Sequence, residues 1–136
     1  MNAIASILKA HNLKVTPQRI AIYNILLNTK EHPSAEMIYN SLSAEHPNIS
    51  LATVYKTLDT FKANNLVQEL NVGEGNFRYD AHTADHTHAF CLSCHKVIDI
   101  DEALDPDIIH QLSKNSGFKV SSSKIYLFGI CKECQQ

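Results

Sequence analysis

Residues 85–99, DHTHAFCLSCHKVID, place three histidines, two cysteines and two aspartates within fifteen positions. Imidazole, thiolate and carboxylate are the side-chain groups that bind divalent transition metals, and this segment mixes all three. Its cysteine pair, Cys91-x-x-Cys94, recurs as Cys131-x-x-Cys134, and these four are all the cysteines in the chain. In a secreted protein four cysteines would suggest two disulfides. The N-terminus, MNAIASILKAHNLK, has no basic region followed by an apolar stretch, so no secretory signal is expected. Two C-x-x-C knuckles then read as one tetrahedral Zn2+ site, because thiolates two residues apart on a tight turn can face one ion. A redox C-x-x-C would need only one pair. The knuckles are separated by 36 residues, more than a compact zinc ribbon allows, so a whole substructure must lie between them.

The bulk numbers limit what can position these groups. At 136 residues, with 44% apolar and 19% charged residues, the chain fits one domain or two small ones. No apolar run approaches the roughly 18–20 residues of a membrane span, and the expected location is cytoplasmic. Net charge is −2. Residues 1–79 carry seven Lys/Arg against six Asp/Glu, residues 80–136 five against eight. The first part is the less acidic, but any affinity for nucleic acid must come from local placement of charge.

The first part reads as helices ending in a hairpin. Residues 3–12 have Ile4, Ile7 and Leu8 at helical spacing. Thr16-Pro17 is a start signal, with threonine as cap and proline in the first turn, followed by an expected buried stripe of Ile20, Tyr23, Leu26 and Leu27. A third helix is expected from Ser34 through Ile38 and Leu42, and Ser50 can cap a fourth, SLATVYKTLDTFKANN. On that helix Leu51, Val54, Leu58 and Phe61 share one face. Ala52, Thr53, Lys56 and Thr60 lie opposite, with Tyr55 at the border. A face of short side chains, hydroxyls and one lysine suits close entry into a DNA groove. LVQELNV and FRYD alternate on either side of GEGN, which predicts a hairpin. Helices followed at once by a hairpin predict a winged helix-turn-helix, residues 1–80, that binds double-stranded DNA. Lys14, Arg19, Lys56 and Lys62 are the expected phosphate partners, and Thr53 and Tyr55 complete the expected DNA-contacting set.

Beyond a short hinge, 81–84, residues 85–136 read as a small α/β unit. HKVIDID is a predicted strand, Asp105-Pro106 opens a helix that Gly117 closes, and FKVSS and KIYLFGIC are two further predicted strands. So small a unit needs its zinc, a partner subunit or both. Ile125, Leu127 and Ile130 suit a dimer interface or ordinary core equally well. The fold class is α+β.

The ordered set HPSAEMIY, SLATVYKTL, FRYD, DHTHAFCLSC and YLFGICKEC resembles the ferric uptake regulator family of metal-dependent bacterial repressors, over essentially the whole chain. The resemblance implies a homodimer with N-terminal DNA-binding and C-terminal dimerisation domains. It implies a structural Zn2+ on Cys91, Cys94, Cys131 and Cys134. It also implies a regulatory Fe2+ or Mn2+ on His32, Asp80, His86, His88 and Asp99, donors that suit those ions better than thiolate does. Asp99 stands where iron-sensing members typically have glutamate, and so resembles the peroxide-sensing branch. In that branch iron-catalysed oxidation of ligand histidines releases DNA, and the targets carried over are His32 and His86. An iron-level sensor without peroxide chemistry is the alternative.

Two readings from other classes have less behind them. A non-haem iron enzyme would need open coordination positions and a substrate pocket, so no enzymatic activity is expected. An interaction module built on the knuckles would leave the helical half unexplained. His11, His46, His82, His95 and His110 read as ordinary polar histidines, and Asp85 as a non-ligand.

Overall fold

The computed structural model describes residues 2–73, 75–83, 87–100 and 105–136. The chain divides into two compact units, Met1–Thr83 and Ala84–Gln136. The first holds α1 (Asn2–Ala10), α2 (Pro17–Leu27), α3 (Ala35–Leu42), α4 (Leu51–Ala63) and the strands β1 (Gln68–Asn71) and β2 (Phe77–Asp80). Side-chain caps set three of the helix starts, each satisfying an amide that has no intrahelical partner. Thr16 accepts from the Arg19 amide at 3.2 Å, with Pro17 in the first turn. Ser34 accepts from Met37 at 3.2 Å and Ser50 from Thr53 at 3.1 Å.

Apolar spacing then decides which face turns inward. Val54, Leu58 and Phe61 of α4 are fully buried, in one cluster with Leu8, Ile22 and Ile38. The edge of Phe61 meets the ring of Tyr23, centroids 5.6 Å apart at 82°, a favoured aromatic geometry. On α2 the buried residues are Ile22, Tyr23 and Leu26; Ile20 is partly buried, and Leu27 is 42% exposed. The stripe is centred on the Ile22–Leu26 line, and a step of about 100° per residue carries Leu27 off it.

The hairpin closes through the amides of Val72 and Asn76, which donate to the carbonyls of Asn76 and Gly73 at 2.9 Å each. Gly73 and Gly75 take φ of +117° and +77°, open to glycine but strained for other residues. The register sets Glu69 opposite Tyr79 and Gln68 opposite Asp80. The Tyr79 hydroxyl donates to Glu69 Oε2 at 3.1 Å, and Lys62 Nζ lies 3.0 Å from Glu69 Oε1. Burial, then the Glu69 charge, raises the Tyr79 phenol far above its ordinary ionisation range. Lys62, an expected phosphate partner, is thus engaged with a carboxylate of its own unit.

The second unit holds β3 (Thr87–Cys91), β4 (Val97–Ile100), α5 (Pro106–Ser116), β5 (Tyr126–Gly129) and a 3-10 turn at Glu133–Gln135. The sheet order is β4-β3-β5, with β3 antiparallel to β4 and parallel to β5. Asp105 caps α5 by accepting from the Asp107 amide at 3.0 Å, and Gly117 ends it at φ +75°. The predicted strand FKVSS is irregular chain instead. The Phe118 carbonyl accepts from the Ser113 hydroxyl and its amide donates to Ser116 Oγ, so α5 takes the groups that a ladder would use. HKVIDID forms a strand only from Val97, because His95 turns into the left-handed region at φ +65°.

Among the described residues of this unit only His88, Cys91 and Val97 are buried, while Phe118 is 72% exposed and Leu112 58%. The described residues of this unit thus supply little apolar core. No described helix is long and apolar enough to cross a membrane.

Phe61→Ala should destabilise the first unit by about 3–5 kcal/mol, the usual cost of emptying an aromatic site in a core. Leu27→Ala should cost on the order of 0.5 kcal/mol, as for exposed positions. Urea midpoints of the two variants check the ranking; equal losses would contradict it.

Candidate metal centres

The parallel ladder between β3 and β5 assembles the cysteine cluster. Cys91 pairs with Gly129, so the two strands end side by side and each knuckle leaves from the same end of the sheet. After β3 the chain turns back on itself, with the His95 amide donating to the Cys91 carbonyl at 2.9 Å. After β5, the Cys134 amide donates to the Cys131 carbonyl at 3.1 Å. The four sulfurs lie within 4.8 Å of one another, and Cys94 Sγ and Cys131 Sγ are 3.8 Å apart. A zinc ion with Zn–S bonds of about 2.3 Å sets its tetrahedral sulfurs about 3.8 Å apart, so these residues fit a structural zinc.

The thiols also differ in acidity. The Cys94 and Cys131 amides donate to Cys91 Sγ at 3.4 and 3.3 Å, and they lower its pKa to about 6. The Cys134 amide pulls Cys131 the same way, but desolvation and the neighbouring sulfurs push it up to about 12. Four thiols this close cannot all ionise without a cation among them. A zinc ion removes that conflict by holding all four as thiolates.

The remaining donors form imidazole–carboxylate pairs, one within each unit. In the first unit His32 and Asp80 are 3% and 6% exposed, and His32 Nε2 lies 3.2 Å from Asp80 Oδ2. Asp80 is the last residue of β2, and its Oδ1 accepts from the His82 amide at 2.9 Å. That bond aims the second oxygen at the imidazole. His32 holds φ at +54°, a left-handed conformation in a residue other than glycine. Such a conformation costs on the order of 1–3 kcal/mol and persists only where the surroundings enforce it.

In the second unit His88 and Asp99 stand opposite each other in the β3–β4 register, with His88 Nε2 3.2 Å from Asp99 Oδ1. His88 is 4% exposed, its amide donates to the Ile125 carbonyl at 3.1 Å, and its ring lies 6.0 Å from that of Tyr126. Two ligand atoms at about 2.1–2.2 Å from one ion, at right angles, are about 3 Å apart. Each pair is therefore spaced as two neighbouring ligands of a five- or six-coordinate ion, with nitrogen and oxygen donors only. His86, the fifth expected ligand and an expected oxidation target, lies outside the described residues, as does Asp85.

A sequence signature of the ferric uptake regulator family matches residues 10–128. The chain belongs to this family. It is 51% identical over 135 residues to the transcriptional regulator PerR of Clostridium acetobutylicum, covering 99% of this chain and 98% of that protein. It is 41% identical over 130 residues to the peroxide operon regulator of Bacillus subtilis, covering 95% and 89%. Within the family its likeness is thus to the peroxide-regulator branch. In fold it is similar to the ferric uptake regulator Fur of Helicobacter pylori, a structure described as revealing three functional metal binding sites. That match has a TM-score of 0.80 at 28% identity and covers 99% of this chain and 91% of that one.

The expected DNA-facing residues of this family member all fall in the first unit. Thr53 Oγ1 lies 2.9 Å from Ser50 Oγ at the start of α4, and Lys56 is exposed on the same helix. Tyr55 is exposed and donates its hydroxyl to Glu36 Oε1 at 2.5 Å, which lowers the Glu36 carboxyl and raises the phenol. Arg19 Nη1 donates to the Lys14 carbonyl at 2.8 Å, fixing two of the expected phosphate partners against each other. Glu36, Glu69 and Tyr126 had no assigned role from sequence. Each meets its partner across helix or strand contacts that no local spacing reveals.

Cys131→Ser should lose the zinc, about one ion per chain, and raise amide hydrogen exchange across β3–β5. Bound thiolates must take up protons to release the ion, so retention should hold at neutral pH and fail as pH drops. Full zinc content in the variant would contradict the shared site.

Proposed function

We propose that this chain is a metal-dependent, DNA-binding transcriptional repressor that answers hydrogen peroxide by oxidation of its own ligand histidines. The observation that carries this reading is the donor chemistry. In each unit a buried imidazole faces a carboxylate at 3.2 Å, with no sulfur in either pair. Those donors suit Fe2+ or Mn2+ over a thiophilic ion. The likeness to relatives named as a peroxide operon regulator and a peroxide-responsive repressor supports the stimulus, and Asp99 supports it from the ligand side.

In this reading residues 1–80 are a winged helix-turn-helix. The β1–β2 hairpin is its wing, and Lys14, Arg19, Thr53, Tyr55 and Lys56 face a double-stranded operator. Residues 81–84 are the hinge and 85–136 the dimerisation domain. A second copy of the chain would cover apolar side chains that the second unit leaves in water, among them Leu127, Phe128 and Ile130. Cys91, Cys94, Cys131 and Cys134 hold the structural zinc. His32, Asp80, His86, His88 and Asp99 hold the regulatory ion.

The two halves of that ligand set come from the two domains. Occupancy therefore selects one relative orientation, the one in which a dimer presents its recognition helices about one DNA turn apart. Bound Fe2+ would activate the O–O bond of the peroxide, whose two oxidising equivalents pass to an imidazole while its second oxygen leaves as water. The chain supplies the target: the ring carbon of His32 or His86 gains an oxygen, giving 2-oxo-histidine. The altered ring is a poorer nitrogen donor, the ligand set breaks, and the DNA-competent orientation is no longer favoured. Asp80 and Asp99 orient the imidazoles and balance the charge of the ion.

The chain should be loaded with Fe2+, treated anaerobically with micromolar peroxide, digested and weighed. An added oxygen on peptides containing His32 or His86, with loss of operator binding, is expected; Mn2+-loaded protein should keep both unchanged. Intact histidines with DNA binding retained would instead indicate a sensor of iron level alone. His32→Ala should keep zinc and dimer but lose metal-dependent DNA binding.

A further inference from the structure

Three consecutive residues of β2 hold the loop that carries His32. The guanidinium of Arg78 donates through Nη1 to the His32 carbonyl at 3.0 Å. The next amide, Tyr79 N–H, donates to the Pro33 carbonyl, also at 3.0 Å. Asp80 then faces the His32 imidazole at 3.2 Å. One carbonyl, the following carbonyl and one side chain are thus gripped in chain order by one strand. Side chains alternate along a strand, so Arg78 and Asp80 share a face while Tyr79 turns to the other, where it is 2% exposed in the core.

The grip falls where the backbone most needs it. His32 sits at φ +54°, and a residue with a side chain leaves that region unless its carbonyl and amide neighbours are held. The His32 carbonyl lies ahead of α3, which begins at Ala35. Arg78 reaches it across 46 residues of sequence. A guanidinium offers several donors in one rigid plane and remains charged at any working pH, so it can hold a carbonyl at a fixed angle.

We infer that Arg78 is a positioning residue for the regulatory metal, fixing the His32 backbone so that its imidazole faces Asp80 before any ion arrives. The inference rests on the metal reading proposed above. It makes the first-unit half of the site a preformed bidentate clamp. The ion then does not have to order the loop, a cost that would otherwise weaken its binding.

Two variants test it, each kept zinc-loaded. Arg78→Met retains the aliphatic stem and removes every donor; Arg78→Lys restores one. Without added regulatory metal, Arg78→Met should exchange amide hydrogens faster across residues 29–35 and at Tyr79, with α4 unchanged. Titrated with Mn2+ and followed by electron paramagnetic resonance, it should bind about tenfold more weakly or worse, the scale of losing an outer partner of a ligand. Arg78→Lys should recover most of both, and zinc content should equal the parent's in both variants. If Arg78→Met matches the parent in exchange and in Mn2+ affinity while His32→Ala loses binding, the inference alone is overturned. If His32→Ala binds Mn2+ as tightly as the parent, the metal reading fails and the inference falls with it.

Discussion

Between Thr87 and Cys91 the backbone is paired on both edges, antiparallel to β4 and parallel to β5. Those two ladders place almost every reactive group of the second unit. The antiparallel one sets His88 opposite Asp99, and the parallel one brings the ends of β3 and β5 together, so that the two knuckles start from adjacent points. With so little apolar burial around it, the strand's hydrogen bonds and the cysteine cluster are the main restraints on this unit. A zinc ion bound there would contribute folding free energy directly, since no comparable site exists in the unfolded chain.

The first unit works the other way round. Its core is extensive, and stability from that core can be spent on local features that cost free energy. A buried carboxylate beside a buried imidazole is one such feature, because desolvation opposes it. The left-handed backbone at His32 is another. Both coincide at the residue expected to bind a metal, and both are held by the strand that also closes the core with Tyr79. Strain at a ligand is retained where a rigid element beside it enforces the geometry.

Much of this was legible in the sequence because it is local. Thr16, Ser34, Ser50 and Asp105 are caps that act over two or three residues, and the two glycines of GEGN set the hairpin turn. The paired C-x-x-C spacing identified the cysteine cluster without any knowledge of its path through space. What escaped depends on distant partners. FKVSS has strand-forming residues, yet two serines of α5 satisfy its first backbone groups and no described strand pairs with it. Lys62 looked free for phosphate until β1 placed Glu69 against it. The roles of Glu36 and Tyr126 depend on which elements become neighbours, and periodicity carries no such information.

The pleat of β3 has a consequence for how ions are told apart. His88 and Cys91 are three positions apart on a strand, so their side chains leave on opposite faces. The backbone itself stands between sulfur and imidazole. The Cys91 sulfur and the His88 imidazole are therefore kept apart by odd and even positions along a single strand. Cys91 and His88 cannot face one ion while that parity holds. Inserting one residue between 88 and 91 would turn the Cys91 sulfur to the face of His88 and away from the other three cysteines.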